Sequence, residues 1–524
     1  MLEPVSRPIL VQVAGERNAA LVSRRSGDEW AVARECAGRF GRIGRVNDFR
    51  ADGVGTAAPA KVEALLNPRN VVIVGASDAP ANWAMKAFQN LRRYQFPGAI
   101  YPINPRRDRV WDMRCYGSFT ALPEPPDHVV VVIPAPLVPD TLRAAAAAGA
   151  RSATVMSSGF AEAADPAAKA ASDQLNAAIA ATGLAVSGPN CMGNIHAPAR
   201  LMTLTDDRPH RIAAGPVAIV AQSGGLAMAI KRTLEERGIL TSSLVTSGNE
   251  AGLTTADYIG YYATLPFVRV IVCYLEAVRD PETMRTACAA ARRAGKPVVA
   301  LKLGASPQGR AAALAHTGAV AGPMEEFDAL AADCGILRVR SLDDIVEAVE
   351  FFTHVPLPGG SRLGGITFSG ALRGLLLDAA AANGLGFPEL APATRGRLEA
   401  VLGVGTFIGN PLDCGFAGLG SPQVYVECVA AMLDDPSIDI LLLQEELPRG
   451  PGSERKEANL HAVNALAPRT KKPIVHVTMI SHGLTDYSRS LREQLPDIGF
   501  MQEVDKTLRA VRGIATYAQR VAAT

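Results

Sequence analysis

Short apolar runs alternate with longer Ala-rich stretches along most of this chain. Apolar runs rich in Val and Ile that end at Gly, Pro or Asn are typical of parallel strands buried on both faces. The stretches between them are long enough for helices, so the pattern predicts an α/β fold with parallel sheets. In the first third of the chain the predicted strands are Val71–Val74, Ala99–Asn104, Val129–Ile133, Ala153–Ser157 and Leu184–Ser187.

The alternation continues in two further units. A polar connection from His196 to Gly215 leads into the second unit, which ends with a predicted helix over Leu342–His354. The segment Val355–Gly360 carries Pro and Gly residues that break any helix, and it predicts a linker to the third unit. The remaining strands are predicted near Val217–Ala221, Ser243–Thr246, Val268–Tyr274, Val298–Leu301, Leu337–Val339, Gly365–Phe368, Ile438–Leu443 and Ile474–Thr478.

Three tandem domains follow from this order, a Rossmann-like first domain and then two flavodoxin-like parallel-sheet domains. Their predicted bounds are 61–196, 212–355 and 361–524. Residues 1–60 carry many Arg and Gly and show weak periodicity, which predicts a poorly ordered N-terminal extension. A start assigned too far upstream would explain the same segment equally well.

The charge balance and the cysteines narrow the possible partners. Lys plus Arg number 53 and Asp plus Glu 51, so the net charge of +2 predicts no strong attraction to nucleic acid or a membrane. No stretch has the roughly 18 uncharged apolar residues of a membrane-spanning helix, and the N-terminus lacks the order of a signal peptide. The eight Cys contain no CxxC pair, which indicates no zinc site and no disulfide framework and favours a reducing cytoplasm.

The first predicted strand ends in a turn that suits a phosphate. Gly75-Ala76-Ser77 follows the strand and opens a helical run, where free N–H groups and the helix dipole attract anions. Only Gly75 matches a dinucleotide fingerprint. The next three strands end in Tyr101–Pro105, Ile133–Pro136 and Met156–Phe160, and the carboxyl ends of strands are where ligands lie in an open α/β sheet. Each turn alone could be structural, but together they favour a nucleotide-shaped ligand, with NAD disfavoured.

An ordered set of motifs resembles one family. The segments Asn67–Ser77, Tyr101–Pro105, Gly188–Cys191, Gln222–Gly225 and Ala315–Gly318 follow one another as in the NDP-forming acyl-CoA synthetases, from about Lys61 to the C-terminus. The resemblance implies a CoA-binding first domain, a ligase domain with a phosphohistidine, and a third domain that closes an α subunit. The chain has no room for the family's ATP-grasp domains, which implies a separate β subunit that binds ATP/ADP with Mg²⁺.

The resemblance also implies positions for the ligands. Asn190 and Cys191 would lie near the thiol end of CoA, and the acyl donor would be a small carboxylic acid. The sequence departs from the family pattern at Ala81–Ala84, where Trp83 stands in a stretch that is usually richer in Gly, so the acid need not be acetate. The residues along the CoA site would be Gly75, Ala76, Ser77, Asn104, Pro105, Pro134 and Gly159.

His316 is the candidate phosphate carrier. Neutral imidazole is a nucleophile near pH 7, and its phosphoramidate is reactive enough to pass phosphate onward. A lone His on an Ala-rich helix is more often structural, but the flanking Thr-Gly and the family order favour the functional interpretation. A carboxylate should hold one ring nitrogen so that the other attacks, and Glu276 resembles that partner.

A second helix start is the candidate phosphate cradle. Ser223-Gly224-Gly225 follows the strand Val217–Ala221, so Ser223 is expected at the N-cap with free N–H groups behind it. Ordinary helix capping is the alternative for this tetrapeptide alone. Glu250 lies in a family-like loop and its role stays open. Asn410–Asp413 predicts a structural turn, and His476 and His482 predict core or surface roles.

The leading functional hypothesis is an acid–thiol ligase half, catalysing acid + CoA + ATP ⇌ acyl-CoA + ADP + phosphate through an acyl phosphate and phospho-His316. The alternative is a CoA-binding or acyl-transfer component of a larger complex without synthetase activity. An NAD-dependent dehydrogenase is a third possibility. Joint retention of His316, Glu276 and Ser223–Gly225 favours the first, because a pure binding module has no need of all three.

Overall fold

The computed structural model describes residues 57–79, 82–162, 166–208, 210–317, 322–403 and 406–523, without the side chains of residues 57, 314–317, 416 and 419. The predicted extension over 1–60 lies almost wholly outside this part, which begins with the helix Ala57–Leu66. None of the helices in these ranges is long and apolar enough to cross a membrane. The predicted α/β fold with parallel sheets is confirmed by the sheets described below.

The first sheet has five parallel strands in the order β2-β1-β5-β6-β7. The strand β1, which lies between β2 and β5, carries only buried residues, because helices cover both faces. A two-stranded hairpin, β3–β4, stands beside it. The elements are α1 Ala57–Leu66, β1 Asn70–Val74, α2 Trp83–Arg93, β2 Ala99–Ile103, β3 Arg109–Val110, β4 Met113–Arg114, β5 His128–Val131, α3 Val138–Ala147, β6 Ser152–Val155, α4 Pro166–Thr182 and β7 Ala185–Ser187.

The second sheet has seven strands in the order β14-β13-β12-β10-β11-β8-β9. The first five strands of this order, from β14 to β11, are parallel, and β8 runs antiparallel to β11. The elements are β8 Asn194–His196, β9 Leu201–Met202, β10 Val217–Ala221, α5 Gly224–Glu236, β11 Thr241–Thr246, α6 Thr255–Thr264, β12 Val270–Leu275, α7 Pro281–Arg293, β13 Val298–Lys302, α8 Pro307–Thr317, α9 Met324–Cys334, β14 Ile336–Val339 and α10 Leu342–His354.

The third sheet has five parallel strands in the order β16-β15-β17-β18-β19. The predicted strand Ile474–Thr478 is confirmed residue for residue as β18. The elements are β15 Leu363–Thr367, α11 Gly370–Ala382, α12 Pro392–Val401, β16 Leu412–Asp413, α13 Gly415–Gly420, α14 Pro422–Asp434, β17 Ile440–Gln444, α15 Glu454–Leu466, β18 Ile474–Thr478, α16 Asp486–Glu493, β19 Gly499–Gln502 and α17 Val504–Ala522.

The structure corrects the sequence at the junction of the first two sheets. The sequence predicts only a polar connection over His196–Gly215, whereas β8 pairs with β11 and β9 pairs with β8, so that β9 ends the second sheet. The predicted first domain, 61–196, therefore includes β8, which is a strand of the second sheet. Strands of two or three residues carry too little periodicity to be recognised before their pairing partner is known.

Buried side chains join the three sheets into one compact unit that begins with α1. One apolar cluster contains Leu65 and Val71 of the first unit together with Tyr258 and Tyr262 of α6. A second cluster joins α10 to α17. The first two sheets are thereby held at a fixed mutual orientation, which positions the site described next.

Candidate functional site

The predicted CoA residues lie at the carboxyl edge of the first sheet. Gly75 ends β1 with φ +92°, and a Cβ there would lie 2.1 Å from the carbonyl oxygen of Val132, so no other residue fits without a shift. The Gly75 N–H donates to the carbonyl of Ile103 over 3.1 Å. The Asn104 amide donates to the carbonyl of Ala76 over 2.8 Å. The turns after β1 and β2 are thus tied together.

A tryptophan supports this turn from the β3–β4 hairpin. The Trp111 indole N–H donates to the carbonyl of Ser77 over 3.0 Å, and its ring stacks on Phe88 with centroids 4.5 Å apart. Its backbone N–H donates to the Asp78 carboxylate over 2.9 Å. Trp111 has φ +53°, a conformation that is strained for a bulky residue. Nothing local in the sequence links Trp111 to the first turn, so its contact with Ser77 is visible only in the structure.

The third and fourth strand ends complete the edge. Pro134 follows β5, where the N–H of Ile133 donates to the Ser157 hydroxyl over 3.2 Å. Gly159 follows β6 with φ +98°, and its N–H donates to Oε1 of Glu162 over 2.6 Å. Glu162 is a second residue that the sequence analysis misses. Pro105 lies in the turn after Asn104, so all seven predicted CoA residues follow β1, β2, β5 or β6.

Asn190 and Cys191 follow β7, next to this edge. The Asn190 N–H donates to the carbonyl of Ser157 over 2.9 Å. The Cys191 thiol is buried and donates to the carbonyl of Val155 over 3.3 Å. Burial raises the pKa of Cys191 to about 12, so the thiol stays protonated at neutral pH. Its surroundings are those of a packing residue, whereas Asn190 is half-buried at the edge.

Loops from both sheets meet here. The Asn249 N–H, after β11, donates to the carbonyl of Pro189 over 2.9 Å, and the Asn249 amide donates to Oε2 of Glu162 over 2.5 Å. The Arg279 guanidinium, after β12, donates to the carbonyl of Asn249 over 2.6 Å. The carboxyl ends of the first and second sheets therefore face one another. The motifs at the strand ends of either sheet do not reveal this arrangement by themselves.

The predicted phosphate cradle is the start of α5. Ser223 occupies the N-cap as predicted, but its hydroxyl makes no capping hydrogen bond within the described ranges. A Cβ on Gly224 would lie 2.5 Å from the sulfur of Met192, so a larger residue would have to displace that side chain, and Gly225 is exposed. The first N–H groups of the helix, with the positive end of its dipole, can bind an anion together with the Ser223 hydroxyl.

Glu276 lies beside this helix start and is 2% exposed. Its backbone N–H donates to Oε1 of Gln222 over 2.6 Å, which ties the end of β12 to the end of β10. Lys302, at the end of β13, is 7% exposed and donates to the carbonyl of Leu303 over 2.8 Å. Burial lowers the pKa of Lys302, and the charge of Glu276 opposes that shift. Lys302 is a cation near the site that the sequence analysis misses.

His316 is the penultimate residue of α8. Its side chain, and the residues 318–321 that follow, lie outside the part of the chain that the structure describes, so the role of His316 stays a prediction. Among the residues that are described, no group of three or more His, Cys, Asp or Glu side chains could hold a metal ion.

Two ranges of the chain match known domain families. Residues 69–197 match the CoA binding domain family, and residues 214–352 match the succinyl-CoA ligase like flavodoxin domain family. A trans-feruloyl-CoA synthase from an unknown prokaryotic organism is 34% identical over 383 residues, which cover 72% of this chain and 54% of that protein. The chain thus spans about half the length of that relative.

This chain is also similar to the α subunit of a known ligase and to a solved structure. The subunit alpha of ADP-forming acetate–CoA ligase I of Pyrococcus furiosus is 30% identical over 331 residues, 62% of this chain and 70% of that subunit. The dinucleotide forming acetyl-coenzyme A synthetase 1 of Ca. Korarchaeum cryptofilum, in complex with phosphate and ADP, superposes with a TM-score of 0.75 at 26% identity, covering 88% of this chain and 97% of that one. The predicted resemblance is confirmed: the chain belongs to the NDP-forming acyl-CoA synthetases, the family of the ADP-forming acid–CoA ligases, as an α-subunit-like member.

Proposed function

We propose that this chain is the CoA-binding and phosphate-carrying part of an ADP-forming acid–CoA ligase, which catalyses acid + CoA + ATP ⇌ acyl-CoA + ADP + phosphate. His316 carries the phosphoryl group, and a separate ATP-grasp subunit binds ATP/ADP with Mg²⁺. The name of the Pyrococcus furiosus relative, a subunit alpha, supports the separate partner. The solved Korarchaeum relative is a complex with phosphate and ADP, which supports the nucleotide.

One observation carries the proposal. Gln222 ends β10, directly before the α5 start at Ser223, and its side chain bonds the backbone of Glu276 and Ala277 over 2.6 and 2.9 Å. An anion site made of helix N–H groups and a buried carboxylate are therefore fixed side by side. That pairing suits a histidine which must be held by a carboxylate while its phosphoryl group faces N–H donors.

The steps follow from the groups. Glu276 accepts a hydrogen bond from one ring nitrogen of His316, and the other nitrogen attacks the terminal phosphoryl group of ATP, with ADP leaving. The start of α5 stabilises the phosphoryl oxygens. The carboxylic acid then takes the phosphoryl group to form an acyl phosphate, and the CoA thiolate displaces phosphate to give the thioester. CoA lies along the strand ends of the first sheet.

A reducing cytoplasm is part of the proposal. The seven cysteines in the described ranges are all buried free thiols, which supports that compartment. The substrate is a small carboxylic acid. Trp83 lies at the start of α2, is 40% exposed, and is a large side chain where the family pattern is richer in Gly. The acid that this enzyme uses therefore need not be acetate.

Labelling tests the proposal. The chain, reconstituted with its ATP-grasp partner, is incubated with γ-labelled ATP, and acid-labile label is expected on His316. His316→Asn should abolish the label, and Glu276→Gln should slow its appearance, because the ring loses its negatively charged acceptor. Wild-type protein that binds CoA but acquires no acid-labile label under turnover would overturn the proposal.

A further inference from the structure

Glu250 is a buried acid that the reaction scheme leaves unused. It lies in the loop between β11 and α6, is 6% exposed, and has φ +54°. A left-handed conformation is unfavourable for Glu, and an acid is unfavourable in the interior. Both the left-handed backbone and the burial of the carboxyl group lower stability at Glu250. Contacts with the surrounding structure must compensate for both, which indicates a functional role for this residue.

The Glu250 carboxylate is held by donors of its own loop and of α6. Its Oε1 accepts hydrogen bonds from the Ser247 hydroxyl over 2.8 Å, the Thr255 hydroxyl over 2.6 Å and the Thr255 N–H over 3.1 Å. The Gln222 side chain is a further partner. Burial raises the pKa of Glu250, and these donors oppose the shift. The carboxylate therefore points inward at Gln222, away from solvent.

Gln222 connects the Glu250 carboxylate to the backbone of Glu276 and Ala277. Its Oε1 accepts from the N–H of Glu276 over 2.6 Å and of Ala277 over 2.9 Å, and its Nε2 donates to the carbonyl of Ala277 over 2.8 Å. A side-chain amide can rotate by half a turn and exchange its oxygen and nitrogen. A fixed acceptor beside it selects one orientation, the one that suits both backbone N–H groups.

We infer that Glu250 is a positioning residue, which orients Gln222 and thereby fixes the backbone from which Glu276 projects toward the phosphohistidine site. The inference rests on the proposed function. Glu250 itself touches no reacting atom. It sets the place of the carboxylate that holds His316, and a small misplacement of such a group is expensive in rate.

The test is single-turnover labelling of His316 by γ-labelled ATP in the reconstituted enzyme. Glu250→Gln should lower the maximal labelling rate about 10- to 100-fold, the loss typical of residues that orient a functional group. The ATP concentration for half-maximal rate, which reports the partner's site, should not change. The CoA dissociation constant of the chain should also stay within about twofold, because the first sheet is untouched.

A coupled variant separates positioning from general destabilisation. Gln222→Leu should slow labelling similarly, and the double variant should be no slower than Gln222→Leu alone, because both act along one path. Glu347→Gln is the matched control, a buried carboxylate in α10 paired with Arg237 at the C-terminal end of α5, and it should label at the wild-type rate.

Three results overturn the inference: Glu250→Gln that labels like the wild type, effects of the two variants that multiply in the double variant, or a loss that appears equally in CoA affinity and thermal midpoint. A wild-type enzyme that acquires no label overturns the proposed function instead, so the two failures are distinguishable.

Discussion

Backbone conformation restricts which residues can occupy the strand ends of the first sheet, whatever their chemical role. Gly75 has a positive φ and no room for a Cβ. Gly159 and Asn190 also have positive φ, and each lies where a strand of the first sheet ends. At the two glycines the backbone can approach a ligand closely, because they carry no side chain. Residue identity and ligand access are linked at this edge.

Gly75→Ala should disturb the CoA site. The added Cβ would meet the Val132 carbonyl at 2.1 Å, so the turn must shift, at a cost of about 1–3 kcal/mol in stability. CoA affinity, measured by calorimetric titration, should fall at least tenfold, about 1.4 kcal/mol. Gly117→Ala is the matched control, since no described atom lies within 4 Å of its Cβ. Equal CoA affinity in both variants would refute this role for Gly75.

His476 links stability to pH. Its ring is buried in β18, stacks on Phe500 with centroids 5.1 Å apart, and neither ring nitrogen has a hydrogen-bond partner in the part of the chain that the structure describes. Burial, followed by the charge of Arg492, lowers its pKa from 6.5 to about 3. The unfolded chain therefore binds the proton first, so stability is lost as pH falls from about 6.5 toward 3.

His476→Phe should remove this loss while it keeps the packing. Between pH 7.5 and pH 5, the variant should lose on the order of 1–2 kcal/mol less stability than the wild type. Thermal unfolding midpoints at the two pH values measure the difference. Other buried histidines, His128 and His196, leave part of the wild-type slope in place, because burial lowers their pKa values too. Identical pH dependence of variant and wild type would contradict this account.

At the scale of elements, α5 and α10 both have a Ser at the N-cap, but the two hydroxyl groups make different hydrogen bonds. The Ser223 hydroxyl makes no capping bond to a described residue at the start of α5, whereas the Ser341 hydroxyl at the start of α10 accepts from the N–H of Asp344 over 3.1 Å. Ser341 belongs to a capping box, which satisfies N–H groups within the chain. The start of α5 leaves such groups for an anion.

Ser223→Ala and Ser341→Ala should therefore have opposite signatures. The first should change stability by less than about 0.5 kcal/mol and slow His316 labelling about tenfold. The second should cost about 1 kcal/mol of stability and leave the labelling rate intact. Thermal unfolding and the labelling assay are run on both proteins. A stability loss at Ser223 without a labelling defect would reduce it to an ordinary helix start.

At the scale of the whole molecule, α10 binds the third unit to the second through buried charges. Glu350 accepts from the Arg492 guanidinium over 2.8 Å and from the N–H of Phe500 over 2.9 Å. Arg237 pairs with Glu347 over 2.6 Å and donates to the carbonyl of Phe500. The Arg492 charge holds the pKa of Glu350 well below its usual range, against the effect of burial. These buried pairs hold the third sheet against α10, the last helix of the second unit.

Arg492→Leu should loosen this junction. It leaves Glu350 buried without its main counter-charge, which costs about 3–5 kcal/mol. The thermal midpoint should fall by several degrees, and limited proteolysis should cleave earlier between the second and third units. Arg489→Leu is the control in the same helix, because its partners Asp486 and Glu236 are exposed. Equal behaviour of the two variants would show that the buried pair does not hold the junction.

The sequence by itself determined the α/β fold, the order of three parallel-sheet units and the family, because strand hydrophobicity, turn residues and motif order are local signals. It also placed Gly75, Asn104 and Gly159 at strand ends and Ser223 at a helix start. Only the tertiary structure decided that β8 and β9 join the second sheet, and that Glu162, Trp111, Gln222 and Glu250 contact the segments predicted to form the two sites. These residues act through partners distant in the chain, and such pairings leave no local pattern, since they exist only once parallel sheets bring their carboxyl edges together.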